Sequence, residues 1–328
     1  MVIVHHEELM EHDHWPQHPE SPFRLRSIRK KLEQEGLWNE VQEPAPLREE
    51  DLLRVHGNDH VERIRKGGNL PLDPDTMLKD QTYHLANLAA SVATEAVQRA
   101  RKGEMAFAIT RPPGHHARAN QAGGFCYFNN AAVATAKANV RTAIVDIDAH
   151  HGNGTEEIFY LRDDVLFISL HQIEGYPGTG HLEDVGSGEG LGFNVNIPLE
   201  MGSGNRSYMC AYDEIVEPIL RSFSPELLVV SIGVDAHYSD AMSNMNLNTP
   251  GYTNLAHRLI DFMDHGDIAF VLEGGYHLRA TAEVVAGVVS AFEGKEISPE
   301  YKEERPEPPE AEGKLLQIKK WHGKRWTL

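Results

Sequence analysis

The chain has 328 residues, of which 41% are hydrophobic and 24% are charged, and its formal net charge is −18. This composition is typical of a globular protein, and so acidic a chain lacks the clustered Lys and Arg that nucleic-acid binding requires. No apolar run reaches the roughly 18 to 20 residues of a membrane span, and two cysteines are too few for a disulfide framework. We therefore expect a cytoplasmic protein that binds neither nucleic acid nor membranes.

The first eighty residues predict a helical, loop-rich cover, with one helix across Arg24 to Glu35 and a second around Asp59 to Lys66. From about residue 82, helical stretches alternate with short apolar runs, a pattern that predicts a mostly parallel sheet with helices on both faces. The predicted strands are residues 105–109, 142–147, 165–170, 227–233 and 268–273. The predicted helices are residues 83–102, 129–139, 207–223, 253–264 and 278–292.

The end of the chain differs in composition from the rest. Residues 297–312 are rich in Pro and Glu, and a basic segment follows them. We therefore expect one folded α/β domain over residues 1–296. Residues 297–328 are expected to form a connector and a basic C-terminal segment, which packs on the domain or trails from it.

Polar residues, most of them titratable, follow the predicted strands at the point where each strand ends. They are His115, His116, Asp146, Asp148, His150, His151, Asn153, His171, Asp235, His237, Glu273, Tyr276 and His277. Ligands of open α/β sheets bind beyond the carboxyl ends of the strands. One such histidine is usually an ordinary hydrogen-bonded residue, but five strands that all end this way indicate a functional site.

Three of these residues indicate a metal site. Asp148 and His150 lie two residues apart after one strand, and Asp235 follows another strand, so all three side chains can reach one ion. A zinc ion held by one imidazole and two carboxylates keeps open positions for water and a substrate carbonyl, as catalytic zinc sites do. Because oxygen ligands dominate, Fe2+, Co2+ or Mn2+ can substitute.

The motifs RPPGHHA, GGFCYFN, DIDAHHGNGT, ISLH, GVDAH and EGGY occur in the order and spacing seen in histone deacetylases and their bacterial relatives. The resemblance begins at HPESPFRL and covers nearly the whole chain, and HHGNGT resembles the class II branch. It implies a single-domain arginase-deacetylase fold, with residues 1–296 as the catalytic domain. It also implies a zinc-dependent deacetylase that hydrolyses the amide of acetyl-lysine, or of a related acylated amine, to a free amine and acetate.

The resemblance implies roles for the residues around the metal ligands. His115 and His116 would form a tandem catalytic pair, and Tyr276 would donate a hydrogen bond to the transition state. Asp146 would support His115, and Asn153 would support His116. An ionised Asp146 favours the charged form of His115, whereas neutral Asn153 orients His116 without raising its proton affinity as much. We therefore expect His116 to accept the proton of the attacking water while His115 stays cationic.

The resemblance also implies substrate contacts and a structural cation. Phe125, with Gly124 before it, and Tyr176 would form aromatic walls around a methylene chain. Asp75 would bind the substrate backbone at the rim, although a simple turn aspartate fits the segment LDPDT equally well. Met242 falls where polyamine-specific relatives carry an acidic residue. A structural potassium ion would be held by Asp146, Asp148, His150, Ser169 and Leu170.

Three other functions stay open. An acetylpolyamine amidohydrolase is disfavoured by apolar Met242 and by the short segment between residues 67 and 82. A binuclear manganese hydrolase of the arginase type needs additional carboxylates where Gly152 and His237 stand. A catalytically silent acyl-ligand sensor should lack a ligand, the tyrosine or the histidine pair. The acyl group, its carrier and the oligomeric state stay open, and Arg24 is expected either at an internal acetate-exit channel or on the surface.

Overall fold

A computed structural model describes residues 1–39, 41–264, 266–295 and 297–328. The expected domain boundary at residue 296 therefore lies outside the described residues. The strands are β1 (Val2–Val4), β2 (Leu70–Asp73), β3 (Thr76–Leu78), β4 (Ala106–Ala108), β5 (Thr142–Asp146), β6 (Val165–Gln172), β7 (Asn194–Leu199), β8 (Leu227–Ile232) and β9 (Ile268–Leu272). Seven of them form one parallel sheet in the order β1-β4-β9-β8-β5-β6-β7, and β2 and β3 form an antiparallel hairpin.

Helices connect the strands of the sheet, as the sequence predicts. They are α1 (Phe23–Gln34), α2 (Glu49–Leu52), α3 (Asn58–Lys66), α4 (Thr82–Ala100), α5 (Asn130–Ala138), α6 (Asn153–Phe159), α7 (Asn205–Ala211), α8 (Glu217–Phe223), α9 (Thr249–Phe262), α10 (Leu278–Phe292) and α11 (Ala311–His322). A π-helical turn at Tyr212–Val216 joins α7 to α8, so the helix predicted at 207–223 is one interrupted element. Among the described residues, no helix is both long and apolar enough to span a membrane.

The burial of the strands explains why most of their sequences are continuous apolar runs. Every residue of β4, β5, β7, β8 and β9 is buried, so both faces of these strands are covered. Continuous apolar runs are typical of parallel strands that are covered on both faces. In the parallel register, Asp146 at the end of β5 stands beside Ser169 of β6 and Ser231 of β8. The carboxyl ends of the three central strands therefore meet at one edge of the sheet. The expected α/β fold with a parallel sheet is confirmed.

Two strands of the seven-stranded sheet were not predicted, and neither was the β2–β3 hairpin. Val2–Val4 pairs with Ala106–Ala108, so the first eighty residues contribute an edge strand as well as a cover. The other is β7, whose sequence NVNIPL lacks an apolar run because it contains Asn194 and Asn196. Both asparagine side chains are buried, and both donate hydrogen bonds to the carboxylate of Glu156. Buried amides with partners are tolerated in a sheet interior, and sequence periodicity does not reveal those partners.

The C-terminal segment, residues 297–328, contacts the sheet and its helices. The backbone N–H groups of Glu300 and Tyr301 donate to the buried carboxylate of Glu283 in α10. In α11, Ile318 is fully buried, and His322 Nε2 lies 2.9 Å from the carbonyl oxygen of Asn196 in β7. We propose that this segment folds as part of the same unit as residues 1–295.

Replacing Glu283 with alanine tests this proposal. Glu283 also accepts a hydrogen bond from Thr249 Oγ1 at 2.7 Å, so the substitution removes the acceptor of three donors. A buried donor that loses its partner costs about 1–3 kcal/mol. We expect Glu283→Ala to lower the free energy of unfolding in urea by about that amount. Exposed Glu312→Ala, the control, should change it by less than about 0.5 kcal/mol. Equal stabilities of the two variants would contradict the proposal.

Candidate active site

Asp148, His150 and Asp235 meet at the carboxyl edge of the sheet. One ligand atom of each lies within 4.8 Å of the other two. His150 Nδ1 is 3.0 Å from Asp148 Oδ1 and 3.0 Å from Asp235 Oδ2. Asp148 and His150 follow β5, and Asp235 follows the neighbouring strand β8, so the order of the strands brings the three together. The three side chains can hold one metal ion.

Glycines and backbone N–H groups fix the two carboxylates. A Cβ atom at Gly274 would lie 2.3 Å from Asp235 Oδ2, a distance that real Cβ contacts do not reach. Gly274 N donates to Asp148 Oδ2 at 2.9 Å, and Ala149 N donates to Asp235 Oδ1 at 2.9 Å. Such outer contacts orient metal ligands. Two carboxylates and one imidazole match the ligand preference of a divalent cation, and the two negative charges balance its charge, so the residues present fit zinc.

His115 and His116 lie beside this cluster with their ring centroids 4.0 Å apart. His115 Nδ1 is 3.0 Å from Asp146 Oδ2, and His116 Nδ1 is 2.7 Å from Asn153 Oδ1. Burial disfavours the cation of His115, but the negative charges of Asp148 and Asp146 outweigh it and raise the pKa of His115 to about 10. Burial and the neighbouring His115 lower the pKa of His116 well below its usual range. These shifts favour the cationic form of His115 and the neutral form of His116.

Tyr276 belongs to a turn that is held from two sides. Its backbone N–H donates to Asp240 Oδ2 at 2.6 Å. On the other side, Arg24 donates to the carbonyl oxygens of Gly275 at 2.6 Å and Glu273 at 2.5 Å, and its guanidinium lies 4.9 Å from the centre of the Tyr276 ring. Arg24 is fully buried. The alternative that Arg24 lies on the surface is therefore wrong, because its donors satisfy carbonyl groups inside the fold.

The residues predicted to bind substrate all line one cavity of about 330 Å³. They are Asp75, Gly124, Phe125, Tyr176 and Met242, and His115, His116, His150 and Tyr276 line the same cavity. Gly124 has a positive φ of 56°, and a Cβ atom there would lie 2.5 Å from His116 Cδ2. Glycine is therefore needed at this position, both for the backbone conformation and for the close approach of the imidazole.

The aromatic rings of the cavity contact different partners. Phe125 packs edge-on against Tyr276 with ring centroids 5.8 Å apart. Tyr176, half exposed, packs edge-on against His116 at 5.0 Å. The cavity therefore offers apolar ring surface beside both the imidazole pair and the phenol.

Sequence reasoning missed Asp73, which lines the cavity beside Asp75. Asp73 Oδ2 accepts a hydrogen bond from Gly124 N at 3.0 Å, and Asp73 Oδ1 accepts one from Asp75 N at 2.8 Å. Asp73 is thus the turn aspartate of LDPDT, and Asp75 is exposed at the mouth. The Asp-Pro-Asp pattern indicates this turn role for Asp73, because an aspartate before a proline often accepts a hydrogen bond from the N–H two residues later.

Two of the five residues expected to hold potassium, Asp148 and His150, belong to the three-ligand cluster, and the other three are Asp146, Ser169 and Leu170. Asp146 Oδ1 accepts a hydrogen bond from Asp148 N at 3.1 Å, and Ser169 Oγ is 2.9 Å from His171 Nδ1. Leu170 is buried next to Ser169 in β6. The strand register places Asp146 beside Ser169.

Four histidines that follow strands support loops instead of lining the cavity. His151 Nδ1 bonds with Thr179 Oγ1, and His171 Nε2 with the carbonyl oxygen of Gly180. His237 Nδ1 accepts a hydrogen bond from Ser239 N, and His277 Nδ1 accepts one from Ala280 N at the start of α10. Position after a strand therefore does not by itself make a residue part of the site.

A second buried cluster, His12, His14 and Glu20, also brings three ligand atoms within 4.8 Å of one another. The other oxygen of Glu20, however, accepts hydrogen bonds from Arg24 and Arg111, which are both fully buried. Two guanidinium groups and one carboxylate leave a net positive charge before any ion is added. The charge balance therefore disfavours a divalent cation here.

The parallel sheet carries the three-ligand cluster after β5 and β8 and the histidine pair after β4, and this arrangement indicates a deacetylase-type α/β fold. Residues 18–292 match the histone deacetylase domain, and the chain belongs to this family, which is generally metal-dependent. The chain is 39% identical over 314 residues to a probable deacetylase of Archaeoglobus fulgidus. This alignment covers 90% of this chain and 87% of that protein.

Two further comparisons agree. The chain is 40% identical over 297 residues to a histone deacetylase-like amidohydrolase of Pseudomonas aeruginosa. This alignment covers 84% of this chain and 78% of that protein. It also matches the crystal structure of the HDA15 HD domain with a TM-score of 0.91 and 32% sequence identity, over 99% of this chain and 95% of that one. The family and the fold implied by the sequence motifs are confirmed.

Proposed function

We propose that the protein is a zinc-dependent deacetylase that hydrolyses the amide of acetyl-lysine, or of a related small acylated amine, to the free amine and acetate. One observation carries the proposal: His150 of the three-ligand cluster, the histidine pair and Tyr276 line a single cavity. Membership in the histone deacetylase family supports it.

Asp148, His150 and Asp235 would hold the zinc ion, and Fe2+, Co2+ or Mn2+ could replace it. When bound, the metal acts as a Lewis acid that polarises the substrate carbonyl and favours attack by water. A structural potassium ion would be held largely through backbone oxygens of the set Asp146, Asp148, His150, Ser169 and Leu170. The adjacency of β5 and β6 at Asp146 and Ser169 supports that second proposal.

The hydrogen bonds of the two imidazoles favour different roles for His115 and His116. If His116 Nδ1–H donates to Asn153 Oδ1, its Nε2 carries the lone pair and can accept the proton of the attacking water. His115, paired with Asp146, stays cationic and stabilises the negative charge that develops on the substrate oxygen. His116 then returns the proton to the departing amine.

Tyr276 would donate its hydroxyl to the same oxygen. Burial raises the pKa of Tyr276 well above its usual range, so the hydroxyl keeps its proton. We expect Tyr276→Phe to lower kcat by about 10²–10³, or about 2.7–4 kcal/mol, as loss of one oxyanion donor does elsewhere. Steady-state kinetics on an acetyl-lysine peptide measures the effect. Tyr212→Phe, which removes a hydroxyl bonded to the Arg258 carbonyl, is the control; a Tyr276 variant as active as this control would exclude the role.

The cavity walls bear on the substrate. Phe125 and Tyr176 offer apolar ring surface for a methylene chain, Gly124 keeps the passage open, and Met242 makes one part of the mouth apolar. Exposed Asp75 supplies a carboxylate that can bind a backbone N–H or an ammonium group. These features favour an acetylated lysine side chain over an acetylated polyamine, because the polyamine would place an ammonium group near Met242.

The test is kcat/KM of the zinc-loaded protein on acetyl-lysine peptides, longer acyl-lysine peptides and acetylated polyamines, measured side by side. We expect the highest value on an acetyl-lysine peptide. A higher value on acetylpolyamines would support that alternative. Tight binding of acyl ligands without release of acetate from any of them would instead support a silent sensor.

A further inference from the structure

The rim loop, residues 240–243, lies between the mouth of the cavity and the turn that carries Tyr276. Asp240 is 6% exposed. Its Oδ2 accepts hydrogen bonds from Tyr276 N at 2.6 Å and from His277 N at 2.8 Å, and its Oδ1 accepts one from Met242 N at 3.0 Å. One carboxylate therefore joins the rim loop to the turn.

The same loop contacts two of the predicted metal ligands. The carbonyl oxygen of Met242 is 3.2 Å from His150 Nε2, the ring nitrogen that points away from Asp148 and Asp235. Ser243 Oγ donates to the carbonyl oxygen of Asp235 at 2.5 Å. The rim loop thus contacts two of the proposed metal ligands as well as the turn that carries the Tyr276 phenol.

We infer that Asp240 is a positioning residue that fixes the position of the Tyr276 hydroxyl relative to the metal ligands. The inference rests on the proposed function, in which that hydroxyl stabilises the oxyanion. Asp240 is not among the residues that line the cavity. It acts through the backbone of Tyr276.

The turn needs such support because its own backbone is weakly constrained. Gly274 and Gly275 precede Tyr276, Gly275 has a φ of 119°, and α10 begins only at Leu278. Glycine loses more conformational freedom on ordering than any other residue. Arg24 binds the carbonyl groups of this turn from inside the fold, and the Asp240 carboxylate binds its N–H groups from the side of the rim loop. Two charge-assisted hydrogen bonds to one carboxylate oxygen are strong restraints.

A double-mutant cycle with Tyr276→Phe separates positioning from a general structural role. We expect Asp240→Ala to lower kcat on an acetyl-lysine peptide by about 10-fold to 100-fold, since small displacements of a catalytic group cost rates of this order. KM should change much less. In the Tyr276→Phe background, the same substitution should have almost no further effect on kcat, because the hydroxyl that it misplaces is absent. An equal fold-loss in both backgrounds, or no loss in either, would overturn the inference.

A second measurement does not depend on turnover. In protein labelled with 3-fluorotyrosine, the 19F signal that disappears in Tyr276→Phe reports the surroundings of this ring. We expect Asp240→Ala to shift or broaden that signal selectively, whereas an unchanged signal would overturn the inference. Asp213→Asn, which alters an exposed partner of Arg258, is the control and should leave this signal unchanged. If the wild-type protein releases no acetate, the proposed function fails, and the 19F result still decides the role of Asp240.

Asp240→Asn covers the case in which the alanine variant does not fold. The amide has one acceptor oxygen, so its NH2 group must face an N–H donor either of the turn or of the rim loop. We expect a smaller loss of kcat and a smaller 19F change than for alanine. Wild-type values for both would count against the inference.

Discussion

Exhaustive treatment with a chelator is expected to abolish acetate release, and stoichiometric Zn2+ is expected to restore it. Asp148, His150 and Asp235 provide the only three-ligand cluster, among the described residues, whose carboxylates balance a divalent cation. Asp235→Ala removes one of two buried carboxylates and leaves Asp148 beside His150 alone. We expect this variant to lose its metal during dialysis and to show only background turnover. Elemental analysis and kcat/KM on the same samples measure the two effects.

His14→Ala is the matched control for metal content. It removes one member of the second cluster, whose carboxylate Glu20 is already paired with Arg24 and Arg111. We expect this variant to keep one zinc ion per chain, as the wild-type protein does. Two tightly held manganese ions per wild-type chain would favour the binuclear hydrolase, and full activity after chelation would refute the metal mechanism.

The proximity of Asp148, His150 and Asp235 could be predicted from the sequence because they follow strands that are continuous apolar runs. Parallel strands bring their carboxyl ends to one edge, so the position of Asp148 after β5 and of Asp235 after β8 already implies proximity. The edge strand Val2–Val4 could not be predicted in this way, because three residues carry too little pattern. Nor could β7, whose asparagine side chains donate hydrogen bonds to Glu156 of another element.

The supports of the site were harder to predict than its ligands. Asp73 and Asp240 act on backbone N–H groups of residues far away in the sequence, and an N–H group has no sequence signature. The sequence left open whether Arg24 lies at an internal channel or on the surface; it is fully buried because carbonyl groups of the Tyr276 turn accept its donors. Hydrogen bonds from side chains to the main chain are therefore the part of the site that sequence patterns do not predict.

Replacing His116 with alanine is expected to lower kcat by about 10²–10⁴, the range for loss of a general base. The variant removes the neutral imidazole that Asn153 orients, so the proton of the attacking water has no acceptor at that place. Exposed His257→Ala is the control and should keep wild-type kcat. A His116 variant with the activity of this control would rule out the assignment.

His115→Ala is expected to change the pH dependence as well as the rate. The base must be neutral, so kcat/KM rises with pH through the pKa of His116, which burial and the positive charge of His115 lower. A metal ion beside His150 acts in the same direction. Without His115, the pKa of His116 rises toward its usual value, and the acidic limb of the profile moves to higher pH. Because the shift depends on the charge that Asp146 maintains on His115, an acidic limb that stays in place would show that His115 is not cationic in the working enzyme.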